Sequence, residues 1–450
     1  MKIVFDKQDS VNALVRIKID KADYQPKVDK TLKDFAKKAA IKGFRPGKVP
    51  MQVVQKMYGK DTKVQEVNEV SKDSLFNYLK ENQIDILASP LISMETAQNF
   101  NWNNDNFEFV YEIALKPVIT INLAEAEVPF YNTTVGDEEL DLLATRLTDI
   151  YAEFTQYEEV AAGQTIFGLL KYGKDTSRFV HLKVNELVAE TATALIGKKK
   201  GEDVELDLKK LYDNDQKLAD AFRITVEEVA AIEEGVGVLT IRESFVSVPA
   251  ELNEAFYDKI FGEAKVNSQE EFRAKLKEVL EKKYSIEVKG IAVTYFREYL
   301  LKNVDVALPD EFLKKWLQST ANRQIENLEA EYLGLQEGVK YDLILNQLAK
   351  ENGISPITND DLLNKVKDTY FLEFFYSRPV FMEGLTEYFA YQFLQGKENQ
   401  AMIDNLKGAV LAERVLDAVK SQVKANDITT NGMDFEKREL RKVEDAIAAA

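Results

Sequence analysis

Apolar residues in the first quarter of the chain follow two different spacings. Residues 15–19 and 107–115 alternate apolar with polar positions, which predicts two half-buried strands. Residues 28–39 carry apolar side chains at three- and four-residue intervals, with lysines on the remaining surface, which predicts an amphipathic helix. Strands combined with such a helix predict a compact α+β unit over residues 1–115.

Glycine and proline separate the helices of this unit. Gly43 is expected to end the first helix, and Pro50 fits the first turn of a second one. The second helix is predicted to be short and to stop near Gly59, and a third is predicted over residues 62–82. The segment between Gly43 and Pro50 is therefore predicted to be a loop between two helices.

The spacing changes again in the rest of the chain. Residues 116–157 are predicted to be a linker that includes a long amphipathic helix running to its end. Residues 158–248 contain short β-like runs rich in valine and glycine, which predict a small β-rich domain inserted between helical parts. Long helices are predicted over residues 249–430, and a polar, frayed tail over 431–450.

Length and composition agree with this division. A chain of 450 residues is too long for one core, so we expect a multidomain α+β protein. The absence of cysteine excludes disulfides, thiol catalysis and cysteine-based zinc sites. The chain contains no run of about 18 apolar residues, so no membrane span is predicted. The charged N-terminus does not resemble a secretory signal. We therefore expect a cytoplasmic protein without a metal or cofactor.

The net charge of −17 is unevenly distributed. Residues 1–60 hold 15 Lys and Arg against 6 Asp and no Glu, a net charge of +9, which leaves −26 for residues 61–450. A basic N-terminal part on an acidic chain suggests that this part binds an anionic partner, although a lysine-rich solvated surface would have the same composition.

The predicted loop reads Gly-Phe-Arg-Pro-Gly-Lys-Val-Pro from Gly43 to Pro50. Two glycines and two prolines within eight positions predict a defined turn. Arg45 can pair bidentately with a carboxylate or phosphate, and Lys48 adds a point charge. Phe44 either anchors an interface or folds back into its own core, and the residues alone leave both possibilities open.

This loop resembles the signature loop of trigger factors, Gly-Phe-Arg-x-Gly-Lys-Val-Pro. The following Met57-Tyr58-Gly59 resembles the Arg-Tyr-Gly sequence of that family. In trigger factors the loop docks on the large ribosomal subunit beside the peptide exit, where it contacts a ribosomal protein and nearby RNA. The resemblance implies a ribosome-binding N-terminal domain with these binding residues: Gly43, Phe44, Arg45, Pro46, Gly47 and Lys48.

The middle domain of trigger factors is an FKBP-type prolyl isomerase. Residues 194–202 resemble a Gly-Ile-Lys-Gly-x-Lys-x-Gly-Glu stretch of that fold, and 248–252 resemble its Leu-Pro-Glu-Leu exit, so an FKBP-like domain is expected. The pocket motif Val-Ile-Pro-Gly-Phe/Trp is replaced at 187–191, with Thr191 at the aromatic floor. The strand 166–170 also lacks the family's Asp-Phe pair. Because the reaction needs a desolvating aromatic pocket, isomerase activity is expected to be lost or very weak.

The helical C-terminal region is rich in aromatic residues, some of them consecutive. Most should pack helix against helix, but a minority on a concave surface would suffice to hold unfolded chains. Residues 249–335 and 380–430 resemble the two arms of the trigger factor chaperone domain. The candidate client-binding residues are Phe312, Trp316, Phe374, Phe381 and Phe389.

Two classes of function are therefore considered. The first is an ATP-independent chaperone that docks at the ribosomal exit and shields nascent polypeptides, because no P-loop motif occurs. The second is an active prolyl isomerase. No catalytic residue is assigned for it. His181, the lone histidine, is expected on a strand surface. A periplasmic chaperone of similar build is disfavoured by the N-terminus. Neither DNA nor a membrane is expected as a partner, and the sequence leaves a homodimer off the ribosome open.

Overall fold

The computed structural model describes residues 1–38, 44, 49–94, 96, 101–173, 176–222, 224–230, 232, 235–321 and 323–440. The strands are β1 (Lys2–Lys7), β2 (Asn12–Ile19), β3 (Leu91–Ile92), β4 (Phe107–Ala114), β5 (Glu127–Thr134), β6 (Glu153–Tyr157), β7 (Thr165–Tyr172), β8 (Thr176–Lys183), β9 (Asp203–Asp207), β10 (Val236–Val248) and β11 (Lys424–Asn431). The helices are α1 (Lys21–Lys38), α2 (Met51–Glu81), α3 (Asp137–Ile150), α4 (Ala189–Leu195), α5 (Asp215–Phe222), α6 (Val226–Ala230), α7 (Glu254–Phe261), α8 (Gln269–Asn303), α9 (Asp310–Thr320), α10 (Leu328–Glu351), α11 (Asn359–Tyr376), α12 (Leu385–Gln395), α13 (Gln400–Val419) and α14 (Gly432–Phe435).

The chain folds into two compact units, each assembled from three separate stretches. Unit 1 contains Met1–Pro129, Ala292–Ile357 and Gly408–Asn426. Unit 2 contains Phe130–Ile291, Thr358–Lys407 and Asp427–Ala450.

Unit 1 begins with an antiparallel sheet in the strand order β1-β2-β4-β3. Alternate residues of β2 and β4 are buried together with apolar residues of α1 and α2, which pack against each other. The predicted α+β character of the N-terminal region is confirmed. The predicted break near Gly59 is wrong, because α2 runs without interruption from Met51 to Glu81. A glycine costs a helix only about 1 kcal/mol, and buried residues on both sides of Gly59, such as Val54 and Val67, hold the helix in place.

Unit 2 contains the predicted β-rich domain. Its five-stranded antiparallel sheet has the order β6-β10-β7-β8, and β9 pairs with the first half of β10. Helix α4 and the segments around α5 and α6 cover one side of this sheet and complete a core of aliphatic residues. The fold therefore has the predicted β-rich middle region.

The predicted long helix of residues 116–157 is shorter in the structure. Helix α3 ends at Ile150, and the next residues form β6, which pairs with the end of β10. Phe154 and Tyr157 continue the helical spacing of α3 by coincidence, yet they lie in this strand. All five residues of β6 pair with β10, a strand that is distant in the sequence. This pairing outweighs the helical spacing of residues 154 and 157.

The helical part of unit 2 agrees more closely with the sequence. Helix α8 starts after Ser268, whose hydroxyl accepts a hydrogen bond from the Glu271 amide at 3.1 Å, as the residue that caps a helix N-terminus commonly does. Helices α11 and α12 form an antiparallel pair with many aromatic contacts.

The predicted polar tail over 431–450 is wrong for its first ten residues. Strand β11 continues to Asn431, and α14 follows it at once. Phe435 is fully buried, with its ring 5.1 Å from Tyr131 and 6.3 Å from Tyr284. A single buried phenylalanine in a charged segment gives no periodic signal, which is why the sequence suggested a frayed end. Residues 441–450 lie outside the described residues.

A buried ionic network holds this C-terminal segment in unit 2. Lys283 of α8 is only 2% exposed, and its ammonium group pairs with Glu287 at 2.9 Å and with Glu436. The neighbouring Tyr284 donates a hydrogen bond to Glu139 of α3 at 2.9 Å. Burial and the charge of Glu436 raise the pKa of Tyr284 far above its usual value, which favours the protonated hydroxyl that donates to Glu139.

Gly432 is required by the close packing of this network. A Cβ atom at this position would overlap the ring of Tyr284 and the carboxylate of Glu139. We expect Gly432→Ala to lower the free energy of unfolding by about 1–3 kcal/mol, because overpacking forces the ring and the carboxylate to move. Urea denaturation of the full chain measures the change.

The matched control is Gly290→Ala on α8 of the same unit, where a Cβ atom meets nothing within 4 Å. This substitution should be neutral or stabilising, because alanine favours helix. An equal loss of stability in both variants would contradict the packing argument.

Candidate functional site

The predicted docking loop falls largely outside the described residues. Gly43, Arg45, Pro46, Gly47 and Lys48 are all among the residues that the structure does not describe. Phe44 is described and is 39% exposed. Its ring is therefore accessible, as an interface anchor requires, and is not enclosed in a core.

The residues that flank this loop are firmly placed. Val49 is buried in the N-terminal core, and the carbonyl of Pro50 accepts the first amide hydrogen bonds of α2. The rings of Phe35 on α1 and Tyr58 on α2 are 5.7 Å apart. Two packed helices therefore support both sides of the segment that contains Phe44.

Helix α1 carries the positive charge of this region. Lys27 is paired with Asp73 at 3.3 Å, and Lys37 with Asp34 at 3.0 Å. Lys30 and Lys33 are also exposed on this helix. The basic composition of the N-terminal region is thus displayed on the surface, where an anion could reach it.

The candidate client-binding residues separate into two groups. Phe312 and Trp316 lie on α9 in unit 1. Phe312 is only 3% exposed and belongs to a small core with Tyr332 and Ala114, so it offers no surface to a ligand in this conformation. Trp316 is partly buried against the same core.

The other three candidates lie in unit 2, on α11, α12 and the turn between them. Phe374 and Phe389 face each other with their ring centres 5.5 Å apart, and Tyr370 lies 5.6 Å from Phe389. Tyr388 extends this cluster to the surface, with its ring centre 5.5 Å from that of Phe389 and 61% of its area exposed. The structure therefore brings Phe374 and Phe389 together at the base of an exposed aromatic surface, which we call the arm cluster.

Phe381 lies at a separate, concave site. It lines a cavity of about 550 Å³ together with Phe261 and Phe371, and its ring centre is 5.8 Å from that of Phe371. Lysines and glutamates surround the opening; Lys282 lies 4.6 Å above the Phe371 ring. An aromatic floor with a charged rim could accept an apolar side chain from an extended polypeptide.

Two positions on the α4 side of the middle domain carry no aromatic side chain. Thr191 is 8% exposed, and its hydroxyl donates to the Lys210 carbonyl at 3.1 Å. On β7, the inner side carries Gly168, where a Cβ atom would come within 2.7 Å of the Leu239 side chain. Phe167 of this strand points away from the core, whereas Tyr172 at its end packs partly against the core. The two positions singled out from the sequence, at Thr191 and on β7 beside Gly168, thus place no aromatic ring on the inner side.

His181, as expected, lies exposed on a strand surface, on β8. Its ring is 4.9 Å from Phe167 on the side of the sheet opposite α4. Within the part of the chain that the structure describes, no group of three or more His, Cys, Asp or Glu residues could hold a metal ion. In the same part, no helix combines the length and apolarity that a membrane span needs.

Three family models match successive parts of the chain. A bacterial trigger factor protein model matches residues 1–147, a trigger factor FKBP-like domain model matches 154–243, and a trigger factor C-terminal domain model matches 289–438. The three matches together define a multidomain chaperone with an FKBP-like middle domain. The chain belongs to the trigger factor family.

Curated relatives agree along nearly the whole chain. The trigger factor of Nitratiruptor sp. is 25% identical over 94% of this chain and 98% of its own length. That of Sulfurimonas denitrificans is 26% identical over 80% of this chain and 88% of its own. A solved structure of the trigger factor chaperone aligns over 94% of this chain and 100% of its own, with 17% identity and a TM-score of 0.46.

Proposed function

We propose that this protein is an ATP-independent chaperone that docks at the exit region of the large ribosomal subunit and shields nascent polypeptides in the cytoplasm. The arm cluster is the observation that carries the proposal, because Tyr388 exposes a large aromatic surface beside Phe389 and Phe374. Exposed contiguous apolar surface is unfavourable unless it binds something. Membership in the trigger factor family supports an unfolded polypeptide as that partner.

Docking is assigned to the loop of residues 43–48. Phe44 would supply the apolar anchor, and Arg45 and Lys48 would meet RNA phosphates or carboxylates of a ribosomal protein. The exposed lysines of α1 would add attraction toward an anionic surface without specifying a position. The domain boundaries predicted from the sequence, with residues 1–115 as the ribosome-binding domain, are part of this proposal.

The docking loop is tested by co-sedimentation with ribosomes. Phe44→Ala, and separately Arg45→Glu with Lys48→Glu, should reduce binding at least about tenfold, because each removes an anchor of the interface. The control, Lys30→Glu with Lys33→Glu, makes the same change of charge on α1 and should reduce binding much less in salt-matched buffer. Equal loss in the control would indicate diffuse charge attraction and would sink the assignment to the loop.

Client binding by the arm cluster is tested by suppression of aggregation. Tyr388→Ser with Phe389→Ser should raise the concentration that halves aggregation of denatured citrate synthase by about tenfold, which corresponds to a loss of about 1.4 kcal/mol of binding free energy when two aromatic contacts are removed. Phe76→Ser is the control, since Phe76 is 52% exposed on α2, far from α11 and α12 in the chain. Unchanged suppression by the double variant would refute client binding at this cluster.

We further propose that the middle domain holds polypeptides without catalysing prolyl isomerisation. Thr191 and Gly168 support this, because neither supplies the apolar wall that desolvates a prolyl bond. In a protease-free peptide assay, the full chain should accelerate isomerisation no more than about twofold over the uncatalysed rate.

Strong turnover would favour the alternative, an active prolyl isomerase. Two variants would then locate the activity. Val188→Ala changes the residue that precedes α4, whereas Phe179→Ser changes the opposite side of the sheet. Loss of turnover in Val188→Ala alone would assign catalysis to a pocket beside α4.

A further inference from the structure

The outer side of the middle-domain sheet, opposite α4, carries a row of aromatic residues. Directly paired residues of neighbouring antiparallel strands point to the same side of a sheet. Phe167 pairs with His181, and Leu169 pairs with Phe179. The intervening residues, such as Ile166 and Val180, are fully buried in the core, so the aromatic set points away from it.

A β-bulge brings β10 into this row. Thr240 pairs with Leu169, but after the bulge Glu243, and not residue 242, pairs with Phe167. The extra residue reverses the alternation of the rest of β10, so that Phe245 joins the outer side. Phe154, on the neighbouring β6, lies close to it.

The rings form one continuous row across four strands, which we call the outer stripe. Its ring centres are separated by 5.3 Å from Phe154 to Phe245, 6.4 Å from Phe245 to His181, 4.9 Å from His181 to Phe167 and 5.3 Å from Phe167 to Phe179. Phe154 and Phe179, at its two ends, are 59% and 60% exposed. A contiguous exposed aromatic surface of this kind is typical of an interaction site, whereas isolated exposed rings are ordinary.

Carboxylates outnumber unpaired lysines beside the outer stripe, which favours a cationic partner. Glu243 is the direct cross-strand neighbour of Phe167, and Asp203 and Glu205 lie on β9 beside the outward residues of β10. Of the two lysines on this side of β7 and β8, Lys183 is already paired with Glu186 at 3.0 Å, and Lys171 lies opposite Val238. Aromatic faces themselves attract Arg and Lys, which adds to the effect of the carboxylates.

The rings lie close enough together for an extended polypeptide to contact several of them. In an extended chain, every second side chain points the same way, about 6.6–6.8 Å from the last. The ring centres of the outer stripe lie at shorter intervals of 4.9–6.4 Å. The side chains on one side of an extended segment can therefore meet rings of the stripe without a gap.

We propose that the outer stripe is a second polypeptide-binding surface of this chaperone, for extended unfolded segments that combine apolar side chains with Lys or Arg. The proposal rests on the proposed function, since it assumes unfolded polypeptides as clients. It differs from the arm cluster in its residues and from an isomerase pocket in the side of the sheet that it uses.

A photo-crosslinking experiment tests the location of binding. The full chain carries p-benzoylphenylalanine at position 179 or, as a matched control, at 157; Tyr157 is 46% exposed but lies on the opposite side of β6 from Phe154. The probe is a fluorescein-labelled 14-residue peptide with Phe at four alternate positions and two Arg. We expect a crosslink from 179 that is at least about fivefold stronger than from 157. A crosslink from 157 of equal strength, or none from 179, would overturn the proposal.

Affinity for the same peptide tests the chemistry of binding. In a chain that already carries Tyr388→Ser and Phe389→Ser, Phe154→Ser with Phe179→Ser should weaken binding about tenfold, as expected for two anchor residues, whereas Tyr157→Ser should not. Replacing the two Arg of the peptide by Glu should also weaken binding about tenfold. Equal affinity of the Arg and Glu peptides would overturn the proposed cationic preference.

Two further measurements separate the possible failures. Urea denaturation checks that the serine variants fold, and the crosslink from 179 does not depend on any serine substitution. A crosslink from 179 to another copy of this chain, without added peptide, would assign the stripe to self-association and overturn the proposal. Ribosome co-sedimentation and aggregation suppression are measured on the same variants. If only this inference fails, both activities stay intact in these variants. If the proposed function fails, the docking test and the client-binding test described above fail independently of the stripe.

Discussion

The charge of Lys283 must be matched inside the protein, and the position of the C-terminal segment in unit 2 follows from this requirement. A buried ammonium group without partners would be strongly unfavourable, and removing one partner of such a pair typically costs about 3–5 kcal/mol. Glu287, one turn along α8, supplies the first carboxylate, and Glu436 from the C-terminal segment supplies the second. The ring of Tyr284 lies 4.1 Å from the ammonium group and shields it from water. The last described segment of the chain is therefore part of the core of unit 2.

In the middle domain, strand alternation decides which side of the sheet carries the aromatic rings. A strand residue contributes either to the core or to the surface, and a shift of one position exchanges the two. In this chain, Phe167 and Phe179 fall on the outer side, while Gly168 of β7 lies on the inner side, which faces α4. The alternation of these strands thus places an aromatic surface on the outer side of the sheet.

Holding an unfolded chain requires shallow apolar surfaces and not a catalytic pocket. The arm cluster illustrates the balance that such a surface needs. Phe375 and Phe371 on α11 are buried and keep the helices packed, whereas Tyr388 and Tyr391 on α12 are left exposed. The buried rings provide a rigid support, and because tyrosine has few rotatable bonds, the exposed rings lose little entropy when a partner covers them.

The sequence by itself determined the periodic elements and the family. Strand alternation in β2 and β4 and the family motif from Gly43 to Pro50 were readable, because each depends on neighbouring residues. The tertiary structure decided the positions that depend on distant partners. Phe154 lies in a strand because β10 pairs with it, α2 continues through Gly59 because its flanks are packed, and Phe435 is buried because Tyr131 of β5 and Tyr284 of α8 pack against it. The side of the sheet on which Phe245 lies was also decided there, since a one-residue bulge in β10 sets it and leaves no periodic trace in the sequence.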